Sequence, residues 1–206
     1  MTLWAIVPVK PFQQAKSRLA GVLSDAERVE LSRTMLSQTL ERICEVRQIT
    51  RVVVVSADRQ VLDLATAAGA VPLLEPDPPN LNRALRLAAE TARASGATAL
   101  LVVPADLPGL SAADLRTIIE LAGRPPCLVI AADRHSRGTN ALLLIPPALI
   151  EFDFGAESFA RHVALGRAAG ARVEICNLPA LALDLDSPED LALVRRAGPL
   201  LVQKES

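Results

Sequence analysis

Short apolar runs alternate with segments of helical period along almost the whole chain, and that alternation limits the possible folds more than any other feature. The runs at residues 3–9, 51–56, 71–74, 99–103, 127–132 and 141–145 are predicted strands, with 172–176 and 181–186 as later ones. Most lack a period-two pattern, as strands covered on both faces do. Between them lie segments with helix signals. Ser24-Asp25-Ala26-Glu27 is a capping box opening a helix to about Val46, with Val29, Leu36, Leu40 and Ile43 at helical spacing. Asp58 caps a second helix that Gly69 ends, and residues 80–95 form a third closed by Gly96. A fourth starts at Ser111, and a fifth follows Gly155 and ends near Gly170. The last begins at Ser187, with Pro188 at the first helical position and Glu189 and Asp190 in the first turn. Strand–helix alternation of this kind predicts one α/β domain over residues 1–206, built on a doubly wound, mainly parallel sheet.

Composition narrows the function classes. Half of the residues are hydrophobic (50%) and 22% charged, which excludes a disordered chain. A net charge of −1 with no basic tail leaves no electrostatic case for a nucleic-acid or membrane partner. Aromatic residues at 2% provide no base-stacking platform. Cys44, Cys127 and Cys176 are isolated and odd in number, so they read as reduced, buried thiols of a cytoplasmic protein rather than as zinc ligands or disulfides. The apolar stretch at 3–9 is too short for a signal or a spanning helix. Residues 203–206 are expected to fray.

Carboxylates at the carboxyl ends of buried strands lie where open α/β sheets hold their ligands. Asp106 follows the run 99–103 and is flanked by Pro104 and Pro108; it either binds a metal or substrate or accepts backbone N–H groups. Ser111 is better placed than Asp106 to cap the helix that follows. Read as a strand, 181–186 puts Leu181, Leu183 and Leu185 on one face and Ala182, Asp184 and Asp186 on the other. Side chains two apart on a strand have Cα atoms roughly 6.5–7 Å apart, close enough to share one ion. Two carboxylates 4 Å apart repel by about 4 kcal/mol at an effective dielectric of 20, and Mg²⁺ would remove that repulsion. Asp186 is alternatively a helix-start residue, which leaves Asp184 unexplained.

Residues 8–19, just after the first run, contain Lys10, Lys16 and Arg18 but no glycine, so the segment is neither a P-loop nor a dinucleotide fingerprint. Its three cations suit a triphosphate, or form a solvated basic loop. Arg137-Gly138-Thr139-Asn140 either grips an anion or makes a plain turn. Gly155 to Ser158 opens a helix whose N-terminus suits a carboxylate or phosphate. Asn82 either meets a base edge or simply starts a helix. His162 lies one turn after Ser158 and reads as a buried, satisfied histidine; His135 reads as exposed.

Taken in order, Val7-Pro8-Val9-Lys10, Ala15-Lys16-Ser17-Arg18-Leu19, Leu81-Asn82, Pro104-Ala105-Asp106-Leu107-Pro108, Gly138-Thr139-Asn140-Ala141-Leu142, Phe154-Gly155 with Ser158-Phe159 and His162, and Asp184-Leu185-Asp186 with Pro188-Glu189-Asp190-Leu191 resemble the guanylyltransferases of coenzyme F-420 biosynthesis over essentially the whole chain. The resemblance implies a Rossmann-like three-layer fold of the nucleotide-diphospho-sugar transferase type. It implies transfer of GMP from GTP to phosphoenolpyruvate or 2-phospho-L-lactate, with release of pyrophosphate and functional coupling to the next transferase of the F-420 pathway. On the same basis Asp106, Asp184 and Asp186 bind Mg²⁺, and Thr139, Gly155 and Ser158 hold the acid. Lys16 and Arg18, with Asp106, serve catalysis at the GTP phosphates, and Asn82 faces the base. Competing readings are a same-fold nucleotidyltransferase with another phosphorylated acceptor, such as a sugar phosphate or molybdopterin, and a non-catalytic nucleotide-binding protein.

Overall fold

The computed structural model describes residues 1–197. Its strands are β1 (Leu3–Pro8), β2 (Ile49–Ser56), β3 (Val71–Leu74), β4 (Ala99–Val102), β5 (Cys127–Ala132), β6 (Thr139–Ile145) and β7 (Arg172–Ile175). They form one seven-stranded sheet in the order β3-β2-β1-β4-β6-β5-β7. All neighbours are parallel except β6, which runs antiparallel between β4 and β5. The helices are α1 (Asp25–Cys44), α2 (Arg59–Ala67), α3 (Leu81–Ala94), α4 (Ala112–Leu121), α5 (Ser158–Ala168), α6 (Pro179–Ala182) and α7 (Pro188–Ala197).

Two cores explain why the strands lack a period-two pattern. Leu3, Ala5 and Val7 of β1 face one core, with Leu36 and Leu40 of α1, Val61 of α2, Leu115 of α4 and Leu181 of α6. Trp4 and Ile6 face the other, with Leu85 and Ala88 of α3 and Val163 of α5. Both faces of the central strands are therefore apolar, and the fold is a three-layer sandwich. Helix starts follow the sequence signals: Ser24 with Glu27 and Ser111 with Asp114 form reciprocal capping boxes, and Asp58 caps α2. Asp58 also accepts the backbone N–H of Phe12 at 3.0 Å, which ties the glycine-free first loop to the start of α2.

A third, smaller cluster positions the site. Leu19 from the first loop, Leu31 and Met35 from α1, and Leu185, Leu191 and Val194 from the C-terminal segment pack together. Leu19 and Leu185 are fully buried there, and each lies within three residues of a charged group discussed below.

The structure corrects two expectations. Residues 181–186 are not a strand: α6 ends at Ala182, and 183–186 run without regular structure. The leucine alternation there fits a strand, but Pro179 starts a helical turn, and Leu185 N–H bonds to Asp106 O, in the loop after β4, at 2.9 Å rather than to the sheet. Cys44, at the last position of α1, is exposed, whereas Cys127 and Cys176 are buried; all three are free. Residues 203–206 lie outside the described residues. Among the described residues no helix is long and apolar enough to cross a membrane.

Leu185→Ala removes the anchor of the 183–186 segment. It is expected to cost about 2–4 kcal/mol, read as a lower urea midpoint with unchanged m-value.

Candidate active site

The chain leaves β1 toward β2 on one side of the sheet and later enters β4 on the other, so the ends of β1 and β4 bound a topological switch point. A cleft of about 410 Å³ opens there. Pro8, Val9 and Lys10 from the end of β1, Asp106 from the loop after β4, and Lys16 and Asp186 line one part of it. Glu75, Asn80 and Leu81, before and at the start of α3, line another.

Lys16 sits between two short 3₁₀ turns at φ 55, a left-handed conformation uncommon outside glycine. Its ammonium lies 3.2 Å from Asp106 Oδ2 and 3.1 Å from Asp186 Oδ1, and its side chain is only 7% exposed. Burial opposes its charge, but the attraction of Asp106 and Asp186 outweighs that and raises its pKa. Asp184 stands beside this pair. Its carboxyl accepts from Asn140 Nδ2 at 3.3 Å. Burial pushes its pKa up, the Asp106 charge pushes the same way, and the Asn140 bond opposes both. Three carboxylates are hard oxygen donors of the kind Mg²⁺ takes. Among the described residues, no three acidic, histidine or cysteine side chains already gather in a metal-ready group. Lys16 is the cation between two of them. The donor set suits Mg²⁺, and the positive charge now between Asp106 and Asp186 is the lysine's own.

A β-bulge connects this cluster to a second one. The β5–β6 register shifts between Ala131 and Ala132, so that Ala131 faces Ala141 and Ala132 faces Thr139. Such a bulge re-aims side chains. Asn140 points to the α6 side and donates to Leu181 O at 2.9 Å as well as to Asp184. Thr139 points to α5, where its Oγ1 lies 3.0 Å from His162 Nδ1 and 3.1 Å from Ser158 Oγ. All four side chains are buried. The backbone N–H of Asp153 donates to His162 Nε2 at 3.1 Å, and the Phe154 ring packs edge-on against the imidazole. Burial lowers the His162 pKa to about 4, with Asp153 opposing that shift and Arg161 adding to it.

The family described as "Guanylyl transferase CofC like" matches residues 3–198. The chain belongs to this family. A phosphoenolpyruvate guanylyltransferase of Rubrobacter xylanophilus is 43% identical to it over 96% of both chains. A 3-phospho-D-glycerate guanylyltransferase of Phenylobacterium zucineum is 40% identical, covering 95% of this chain and 90% of its own. Among solved structures, a protein assigned as a nucleotide-diphospho-sugar transferase from Desulfovibrio desulfuricans G20 has the same fold, with a TM-score of 0.76 at 16% identity over 97% of this chain and 89% of that one.

Within this family frame, Lys16, Asp106, Asp184 and Asp186 come together, and so do Thr139 and Ser158. Gly155 lies at the entrance to α5 with φ 136, and its carbonyl accepts the Ser158 N–H at 3.1 Å. Three expectations change. Arg18 is exposed, because the 3₁₀ turn that buries Leu19 turns its neighbour outward, and like Thr139, Gly155, Ser158 and Asp184 it does not line the cleft. Asn82 does not offer its amide to a base: Nδ2 donates to Phe154 O at 3.1 Å and Oδ1 accepts from Phe154 N at 2.8 Å. The start of α5 is less open than a bare N-terminus, since the Phe159 N–H already bonds to Arg137 O at 3.0 Å. His162 is buried and His135 exposed, as their surroundings in sequence suggest. Sequence reading missed Asn140, legible only as a lone amide heading an apolar strand, and Asp153. It also missed the use of Asp190, which Arg134 pairs at 2.7 Å and which closes a reciprocal cap with Ser187. Burial opposes the ionised Asp190, but the bonds from Ser187 and the backbone together with Arg134 lower its pKa.

Because the folded His162 refuses the proton that the unfolded chain accepts near its ordinary value of 6.5, its contribution to stability is complete above pH 6.5 and is lost as pH falls toward 4. Over that window the wild-type stability curve is expected to fall more steeply than that of His162→Asn, by at most about 1.4 kcal/mol per pH unit, measured by urea titration at each pH.

Proposed function

We propose that this chain transfers GMP from GTP to phosphoenolpyruvate, releasing pyrophosphate, in the cytoplasmic biosynthesis of coenzyme F-420, where a further transferase consumes the product. The observation that carries this reading is the pairing of Thr139 and Asn140: adjacent residues of β6 serve a buried hydroxyl pair on one side and the Asp184 carboxyl on the other. The family and the high identity to a phosphoenolpyruvate guanylyltransferase support it. A related 3-phospho-D-glycerate enzyme makes that acid, with 2-phospho-L-lactate, the alternative acceptor.

In this scheme Lys10 and Lys16 meet the GTP phosphates. Thr139, Gly155 and Ser158 hold the acid, and Asp106, Asp184 and Asp186 hold Mg²⁺. Mg²⁺ held there would supply charge neutralisation at the reacting phosphates. An acceptor phosphate oxygen forms the new bond to the α-phosphorus, the bond from that phosphorus to its β-bridging oxygen breaks, and pyrophosphate leaves with the electron pair. The attacking oxygen is already anionic at neutral pH, so no general base is required. The residues therefore act by holding two anions side by side and stabilising the departing charge. Lys16 supplies positive charge to that end, and the basic loop serves as the triphosphate site in place of glycine-rich backbone.

Pyrophosphate release from GTP is the deciding assay, run with phosphoenolpyruvate, 2-phospho-L-lactate and 3-phospho-D-glycerate, each with Mg²⁺ and with EDTA. Release with phosphoenolpyruvate, abolished by EDTA, is expected; release only with another acid overturns the acceptor, and none with any overturns the reaction. Asp184→Asn is expected to lower kcat by roughly 10²–10³-fold with an unchanged melting profile.

Lys16→Met leaves Asp106 and Asp186 facing each other without a cation. The melting temperature is expected to fall by about 3–8 °C in EDTA and to recover in millimolar Mg²⁺. A drop that Mg²⁺ does not repair would count against a metal site at this pair.

A further inference from the structure

The His162 ring is fully buried and bonded at both nitrogens. On one side the partner is the backbone N–H of Asp153, which can only donate, so Nε2 carries a lone pair and the proton of the neutral ring sits on Nδ1. That N–H then donates to Thr139 Oγ1. Thr139 and Ser158 share one further bond between their hydroxyls, and among the described residues neither hydroxyl has another partner. Two hydroxyls hold two protons. One of them makes the Thr139–Ser158 bond, whichever residue donates it, and the other has no acceptor within the protein.

We propose that His162 is a positioning residue that commits the Thr139–Ser158 pair to keep one O–H proton free for an oxyanion of the acceptor acid. The inference rests on the acceptor role of Thr139 and Ser158 proposed above. A ring with the opposite tautomer would take the Thr139 proton for itself, the Ser158 proton would then close the Thr139–Ser158 bond, and none would be left for a ligand. The clamp is reinforced behind the ring. Arg161 pairs the Asp153 carboxylate at 2.5 Å, and Asn82 brackets both backbone groups of Phe154. Asp153 N–H is thereby held toward the imidazole. Asn82, which does not reach a base, belongs to this chain of bonds, so α3, whose start lines the cleft with Asn80 and Leu81, braces the segment behind His162. The burial that lowers the His162 pKa keeps the ring neutral at working pH.

Two measurements test the proposal. The chain has two histidines, so a long-range ¹H–¹⁵N spectrum of the labelled protein, with His135→Gln for assignment, reads the tautomer directly. The Nδ1–H form is expected; an Nε2–H form overturns the proposal. The second is a kinetic cycle of Thr139→Val, His162→Phe and the double variant, with His162→Asn as the conservative case that keeps an N–H donor near the Nδ1 position. Thr139→Val is expected to raise KM for phosphoenolpyruvate roughly 10-fold or more, and His162→Phe to raise it by a similar factor, with KM for GTP within about 2-fold in both. The double variant is expected to match Thr139→Val alone, and His162→Asn to recover to within about 3-fold of wild type. If Thr139→Val leaves the phosphoenolpyruvate KM unchanged, the acceptor assignment itself falls. If that KM rises but the His162→Phe effect multiplies on top of it, or His162→Asn is as poor as His162→Phe, the acceptor assignment stands and the positioning role is overturned.

Discussion

The Lys16 ammonium held between Asp106 and Asp186 is the contact on which the site depends. It joins residues 90 and 170 positions apart in the chain, and it does so with a side chain almost closed to solvent. A buried cation needs compensation, and two carboxylates aimed into one cleft need a cation. Each half is unfavourable alone, so the three segments carrying them are held in register with each other. The apolar contacts beneath, Leu19 against Leu185, align the same segments from below. Electrostatics and packing thus agree on one arrangement, which is the consistency a unique native state requires. The same arrangement prepares the chemistry: a positive charge already stands where phosphate charge is to be handled.

The second structural constraint is the bulge in β6. In a regular strand, Thr139 would share a face with Ala141 and Leu143, and Asn140 with Leu142 and Leu144. The shift opposite Ala131 and Ala132 reverses that, sending Thr139 to α5 and Asn140 to α6. One extra residue therefore gives two polar side chains, each satisfied on a different layer. It also fixes the distance between the hydroxyl pair and the acidic cluster, because a single peptide unit separates them. An inserted or deleted residue at this point would disconnect the two halves of the site without touching either core.

Much of this was legible from the chain. Caps at Ser24, Asp58 and Ser111 start helices where their side chains predict, since each offers an oxygen to local backbone N–H groups and needs nothing from elsewhere. The seven strands of the sheet were found with boundaries shifted by at most two residues, because a continuous apolar run is unambiguous in a sheet covered on both faces. The failures share a cause. Leu181-Ala182-Leu183-Asp184-Leu185-Asp186 has the alternation of a strand, yet period two records only which residues are buried; Leu181 and Leu185 are indeed buried, one in the large core and one in the small cluster. Whether such a segment joins a sheet depends on a free neighbouring edge, and this one pairs with the loop at Asp106 instead. Asn82 and Arg18 illustrate the same point: a polar residue near a strand end is a candidate whatever it touches, and only contacts distinguish a brace from a ligand.

The sequence by itself determined the layer architecture, the helix starts, and the set of carboxylates and cations available at the carboxyl edge of the sheet, because these follow from local propensity, capping chemistry and the order of apolar runs. The tertiary structure alone decided which of those charges meet. Lys16, rather than Lys10 or Arg18, is enclosed by the aspartates; Thr139 rather than Asn140 reaches His162; and Asn82 closes on Phe154. Each of these turns on a left-handed residue, a bulge or a contact between segments distant in sequence, and such geometry is set by what packs against the segment rather than by its own residues.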